Sequence, residues 1–171
     1  MDTLTRLGTC AAAITVAISP ATISATSGID TAAADVATRV PLDNDFRRCD
    51  FSLVTPTPPV QDDNLGSASA LIHTAGSQAV AEVHLVDAPD PGTHFDVGLI
   101  QEPRPASATC GHGDPGTAFT GIDTDAAGNA TVTIQDTIRQ GTTGVWVIIE
   151  RPNPISQNPA EFYTSDFVAP V

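Results

Sequence analysis

Apolar and polar residues alternate with a period of two along most of this chain, in short runs cut by proline- and glycine-rich segments. A period of two puts every second side chain on one face, which a half-buried strand requires and a helix does not. QAVAEVHLV turns Ala81, Val83 and Leu85 inward and Glu82 and His84 outward; HFDVGLI turns Phe95, Val97 and Leu99 inward. SASALIHT and QAVAEVHLV read as a hairpin about Ala75 and Gly76, DFRRCDFSLV sets Cys49, Phe51 and Leu53 on one face, and AFTGID and ATVTI are joined by TDAAGN. GVWVIIE is a near-continuous apolar strand whose Trp146 reads as core, and FYTSDF closes the chain. TPTPPVQDDNLG, QEPRPASATCGHGDPG and RPNPISQNP carry too much proline to lie inside a sheet. About eight short strands without helical periodicity predict an all-β fold, an antiparallel β-sandwich, because a half-apolar sheet has to bury its face against another. An open barrel is the nearest alternative.

The N-terminus interrupts that pattern. Arg6 precedes a short apolar run from Cys10 to Ile18, and small residues follow where a peptidase could cut, after Ala25 or after Ala34. That order of charge, apolar run and small residues is a secretory signal peptide over residues 1–34. The run falls short of the roughly 20 residues that span a bilayer, and Pro20 breaks it. Residues 35–44 read as a flexible lead-in and residues 45–171 as the sandwich domain. Cleavage removes Cys10 and leaves Cys49 and Cys110, which an oxidising compartment pairs as a disulfide.

Charge narrows the partners. All seven basic residues are arginines, against twenty Asp and Glu, for a net charge of −13. Such a surface repels phosphate backbones and anionic headgroups, which argues against nucleic acid and acidic membrane. Removal of the signal leaves no stable membrane anchor, and a monomer is expected.

AEVHLVDAPDPGTHFDVGLIQ, the cysteine loop, GIDTDAAGNATVTI, GVWVIIE and FYTSDF together resemble a diffuse set of small secreted actinobacterial β-sandwich proteins with no settled function. The likeness runs from about residue 66 to 170. Within it, HGDPGTAFTGIDTDAAGNATVTI is similar to the HGGP, G-D-L-G and A-D-x-x-G-x-A segments of Cu/Zn superoxide dismutases, through His112, Gly113, Pro115, Asp125, Gly128 and Ala130. The resemblance implies a Greek-key sandwich, immunoglobulin-like or superoxide dismutase-like, and raises copper or zinc as ligands. Those dismutases require an H-x-H pair on a strand where this chain has Glu82-Val83-His84. A two-metal site also uses more imidazoles than the four histidines here.

A smaller metal site follows if QAVAEVHLV pairs with HFDVGLI across DAPDPGT. His84 then falls opposite about Asp96 and diagonal to His94, with Glu82 on the same face. Diagonal neighbours lie roughly 7 Å apart, within reach of a shared Zn²⁺ or Cu²⁺. Outward positions of a sheet are polar in any case, so Glu82, His84, His94 and Asp96 are read as surface, with no metal or cofactor expected. D-T-D-A-A-G, Asp123 to Gly128, starts like a calcium loop, but Ala127 and Ile134 stand where oxygen ligands belong, and Ala-Ala followed by a glycine able to take positive φ reads instead as a hairpin turn between its flanking strands. The loop around His112 reads as a turn tethered by the disulfide. The chain has no G-x-S-x-G elbow, H-E-x-x-H or phosphate loop. The function expected is therefore non-enzymatic: a secreted protein with a binding or structural role outside the cell or at the envelope, towards an unknown partner. The alternative is a metal-binding or redox protein of superoxide dismutase-like ancestry. Intact-mass measurement of the exported protein should find the chain starting after Ala25 or Ala34, and a mature form that keeps Met1 would remove the case for export.

Overall fold

The computed structural model describes residues 36–57, 66–87 and 90–171. The expected signal peptide, its two expected cleavage positions and Cys10 lie outside the described residues, as do residues 58–65 of the first proline-rich connection. The alternating segments are strands: β1 (Thr38–Asp43), β2 (Ser67–Ala75), β3 (Gln78–Val86), β4 (His94–Glu102), β5 (Thr117–Asp123), β6 (Asn129–Thr137), β7 (Gly144–Arg151), β8 (Glu161–Ser165) and the short β9 (Ala169–Pro170). Each ladder is antiparallel, along the path β5-β4-β7-β8-β1-β2-β3-β6, with β9 on the start of β7. The strands at the two ends of this path, β5 and β6, are consecutive in the chain and lie side by side. The expected all-β, sandwich-like architecture is thus one continuous sheet, curled into a nearly closed barrel.

Burial follows the alternation. Ala81, Val83, Leu85, Phe95, Val97 and Leu99 all point into the barrel, where they meet Val40, Ile72, Val145, Val147, Ile149 and Tyr163. The β2–β3 hairpin turns at Gly76 and Ser77, with Ala75 opposite Gln78 and Gly76 at φ 63°. That left-handed backbone is open to glycine without steric cost.

Three expectations are corrected. Residues 38–43, read as part of a flexible lead-in, form β1 between β2 and β8, with Val40 0% and Leu42 4% exposed. Thr38, Val40 and Leu42 do alternate, but Pro41 masks the pattern. It is tolerated because it faces Asp166 at the end of the β1–β8 ladder, where the Asp166 N–H still donates to the Pro41 carbonyl at 3.1 Å. DFRRCDFSLV is not a regular strand. It is a loop closed by a bridge between Arg47 and Leu53, with Phe51 at φ 62°. Finally, the TDAAGN turn forms, with the Gly128 N–H donating to the Asp125 carbonyl at 2.9 Å and Gly128 at φ 79°. Its flanking strands nevertheless pair elsewhere, β5 with β4 and β6 with β3, so the turn joins the two ends of the sheet instead of closing a hairpin ladder.

Gln101, buried at the end of β4, ties the β6–β7 connection to the barrel. Its amide donates to Asp136 Oδ2 at 2.6 Å and the Thr137 carbonyl at 2.8 Å. Its carbonyl oxygen accepts from the Arg139 N–H at 2.9 Å and the Thr142 hydroxyl at 2.7 Å. Two donors and two lone pairs are all used. Gln101→Leu keeps the volume and strands these partners, so urea unfolding should show a loss of about 2–4 kcal/mol; a loss under about 1 kcal/mol would mean that the network does not hold the connection.

Candidate functional site

The outer face of β5, β4 and β7 is a platform with two chemically different ends. Alternation places Trp146, Ile148 and Glu150 of β7 on this face, beside Asp96, Gly98, Ile100 and Glu102 of β4 and Phe119 of β5. Trp146, Ile148 and Ile100 form a second buried cluster, packed against Phe51, Cys110 and Phe119. Gly98 is required by this packing, since a Cβ there would come within 2.6 Å of Phe119 Cε1 and 2.9 Å of Ile148 Cγ2. The Trp146 indole N–H donates to Glu102 Oε1 at 3.0 Å. Burial holds the Glu102 carboxyl above its usual range, with the Trp146 and Arg104 N–H groups opposing that shift.

Two loops cover the apolar end. The loop around Cys49 lays Phe51 against Trp146, ring centroids 5.6 Å apart, and Arg47 stacks over Phe51 at 4.0 Å. The loop around Cys110 is held by Arg104, which donates to the carbonyls of Pro115 at 3.0 Å, Gly116 at 3.2 Å and Thr109. His112 stacks on Phe119 with centroids 4.3 Å apart. A disulfide joins the loops, Cys49 to Cys110, with the Cα atoms 5.4 Å apart. The bridge expected from the cysteine count is therefore present, and it spans 61 residues.

Between the loops and the platform lies a cleft of about 700 Å³, lined by Phe46, Cys49, Ile100, Cys110, His112, Phe119, Trp146 and Ile148, with Arg47, Arg48, Asp96, Asp114 and Glu150 at its margins. Most of these charges are engaged. Arg47 contacts Asp45 at 3.7 Å and the Phe51 carbonyl at 3.3 Å; Arg48 donates to the Leu53 carbonyl at 3.3 Å. Asp114 accepts from the Gly111 N–H at 2.8 Å. The Thr109 hydroxyl and that N–H hold its carboxyl below the usual range. Asp96 lies 3.6 Å from His94. Glu150 stands directly opposite Asp96 in the β4–β7 ladder. The Glu150 carboxylate has no hydrogen bond or ion pair among the described residues. Burial first, and Asp96 second, push its carboxyl up.

The suggested metal quartet is not assembled. β3 pairs with β2 and β6, and β4 with β5 and β7, so the pairing that would bring His84 opposite Asp96 does not occur. His84 meets Thr131 at 3.1 Å, and Glu82 lies opposite Leu71 and Thr133. His94 and Asp96 are neighbours, joined by Asp123, whose Oδ1 accepts from His94 Nδ1 at 2.8 Å. The long DAPDPGT connection carries the chain from β3 across to β4 instead of turning back as a hairpin. Sequence reasoning missed another group: Asp87, Asp90 and Glu161 each bring a carboxylate oxygen within 4.8 Å of the others. Arg151 binds Asp90 at 2.9 Å and lies 3.6 Å from Glu161, and the Tyr163 hydroxyl donates to Glu161 and accepts from the Gly66 N–H at 2.8 Å. No sequence spacing announces that group, because Glu161 lies some seventy residues beyond Asp87 and Asp90. Glu150 had a faint signal, since it shares the alternation of Trp146 and Ile148.

Comparison with protein-family models, curated proteins and solved structures finds no match for this chain.

The His94 imidazole is held above its usual range, chiefly by the hydrogen bond to Asp123. Titration of its ring proton by NMR should give a pKa above 6.5. Asp123→Asn should bring it down, and a midpoint unmoved by that change would show that the contact is not kept in solution. The sign is that of a cation stabilised by folding: the contribution is fully present below the unfolded pKa and is lost as pH rises through the folded one.

Proposed function

We propose that this is a secreted, non-enzymatic binding protein that acts outside the cell or at the cell envelope, and that the cleft over Trp146 is where it binds. The observation that carries the reading is that two loops, joined by the Cys49–Cys110 disulfide, enclose a cleft of about 700 Å³ against an apolar floor. That volume falls within the range of roughly 300–1,000 Å³ typical of small-molecule sites, and an apolar lining with few polar groups is their usual chemistry. The disulfide supports an oxidising compartment. Among the described residues no helix is long and apolar enough to cross a membrane.

The test uses N-phenyl-1-naphthylamine, an uncharged aromatic probe whose emission rises in apolar surroundings. The mature protein should bind it saturably at one per chain. Ala108→Trp, which fills the cleft from its half-buried rim position, should weaken binding at least about tenfold, equivalent to about 1.4 kcal/mol. Replacing Cys49 and Cys110 with alanine should weaken it too, and should cost about 4 kcal/mol of stability on the chain-entropy account of a loop this long. A folded wild type that leaves the probe dark, or an Ala108→Trp variant that binds as well as wild type, would sink the reading. Metal analysis separates the rival class: stoichiometric copper or zinc in the natively exported protein would favour the metal-binding alternative.

A further inference from the structure

Resting on that reading of the cleft, we infer that its ligand is an amphipathic organic ammonium, with an apolar body over Ile148 and Phe119 and a cationic head at Glu150 and Asp96. The cleft is polarised along β7. Alternate positions run from Trp146 through Ile148 to Glu150, so a ligand lying along the strand passes from an apolar floor to a carboxylate within two side-chain steps. Across the ladder, Asp96 faces Glu150, and side chains so placed have Cβ atoms about 5 Å apart. Two carboxylates directly opposite each other destabilise a sheet, and a cation between them removes that repulsion.

Elimination points to the same end. Arg47 and Arg48 are held by carbonyls of their own loop, Asp45 and the Phe51 ring. Asp114 is bound to its own loop and His112 is stacked on Phe119. Glu150 is left as the half-buried charged group of the lining without a partner among the described residues. Among the described residues, His94 lies 3.6 Å from Asp96 but is hydrogen-bonded to Asp123 at 2.8 Å. At this end of the cleft an anionic group would meet the Glu150 and Asp96 carboxylates and be repelled, and a neutral one would leave Glu150 unpaired in a partly dry site. Asp96 and Glu150 also border a smaller depression formed with Pro152, Asn153, Gln157 and Pro159, so a head group larger than a primary amine has room.

Calorimetric titration with three ligands of one chain length tests this: octyltrimethylammonium, 1-octanol and octanoate, on the mature wild type, Glu150→Gln and Asp96→Asn. Octyltrimethylammonium should bind at least tenfold tighter than octanol, octanoate should bind most weakly, and the ammonium should displace N-phenyl-1-naphthylamine. Glu150→Gln should bring the ammonium to the level of octanol, with an unchanged far-UV circular dichroism spectrum and melting curve showing that the variant is folded. Asp96→Asn should act in the same direction to a smaller extent. Equal affinities for the three ligands, a preference for octanoate, or ammonium binding that survives Glu150→Gln would overturn the charge assignment while probe binding still upholds the cleft. Loss of probe binding in the wild type would bring down the cleft and this inference together.

Discussion

Trp146 and Ile148 project from β7 on the side away from the barrel interior, where water would meet them unless something covered them. β7 is apolar on both faces: Val145, Val147 and Ile149 fill the barrel while Trp146 and Ile148 need a second shelter. A Trp side chain buries upwards of roughly 150 Å², worth about 4 kcal/mol at about 25 cal/mol per Å². The disulfide that ties down the covering loops contributes a similar amount, about 4 kcal/mol, by restricting the unfolded chain. Neither loop has regular structure of its own to hold it in place. The buried ring gives the loops something to pack on, and the bridge keeps them there. The cleft is the space this arrangement leaves unfilled.

Carboxyl groups of the covering loops and of the platform beneath them are shifted in opposite directions. Asp50 and Asp114, one in each covering loop, are held below their usual range by the Ser52 and Thr109 hydroxyls and by nearby backbone N–H groups. A depressed carboxyl contributes stability that is present above its unfolded pKa and lost as pH falls through the folded one. Glu102 and Glu150, on the platform beneath, are pushed up by burial. Their charging costs stability as pH rises from the unfolded value through the folded one. Acidification therefore loosens the loops while it relieves the platform.

Much of the fold was legible in the sequence because period-two alternation and turn chemistry are local. The inward rows of β3 and β4, the Gly76 turn, the buried Trp146 and the cysteine pair all follow from residues read a few at a time. What failed was partner choice. TDAAGN has the residues of a hairpin turn and makes that turn, yet β5 and β6 take partners at opposite ends of the sheet. His84 and His94 share a suitable spacing, yet their strands never pair. Pro41 hid β1, since its fitness for a strand depends on where the neighbouring ladder ends.

By itself, the sequence determined the class of fold, the inward and outward faces and the disulfide between Cys49 and Cys110. Those properties depend on periodicity, steric permission and counting, all of which are carried by the chain in one dimension. The tertiary structure alone decided that the sheet curls until its two ends lie side by side, that the outer face of β7 is roofed, and that Glu150 stands opposite Asp96 beneath the roof's edge. Those depend on which strands hydrogen-bond to which. Antiparallel ladders set that choice by how all the apolar faces can be buried at once, so no single segment contains it.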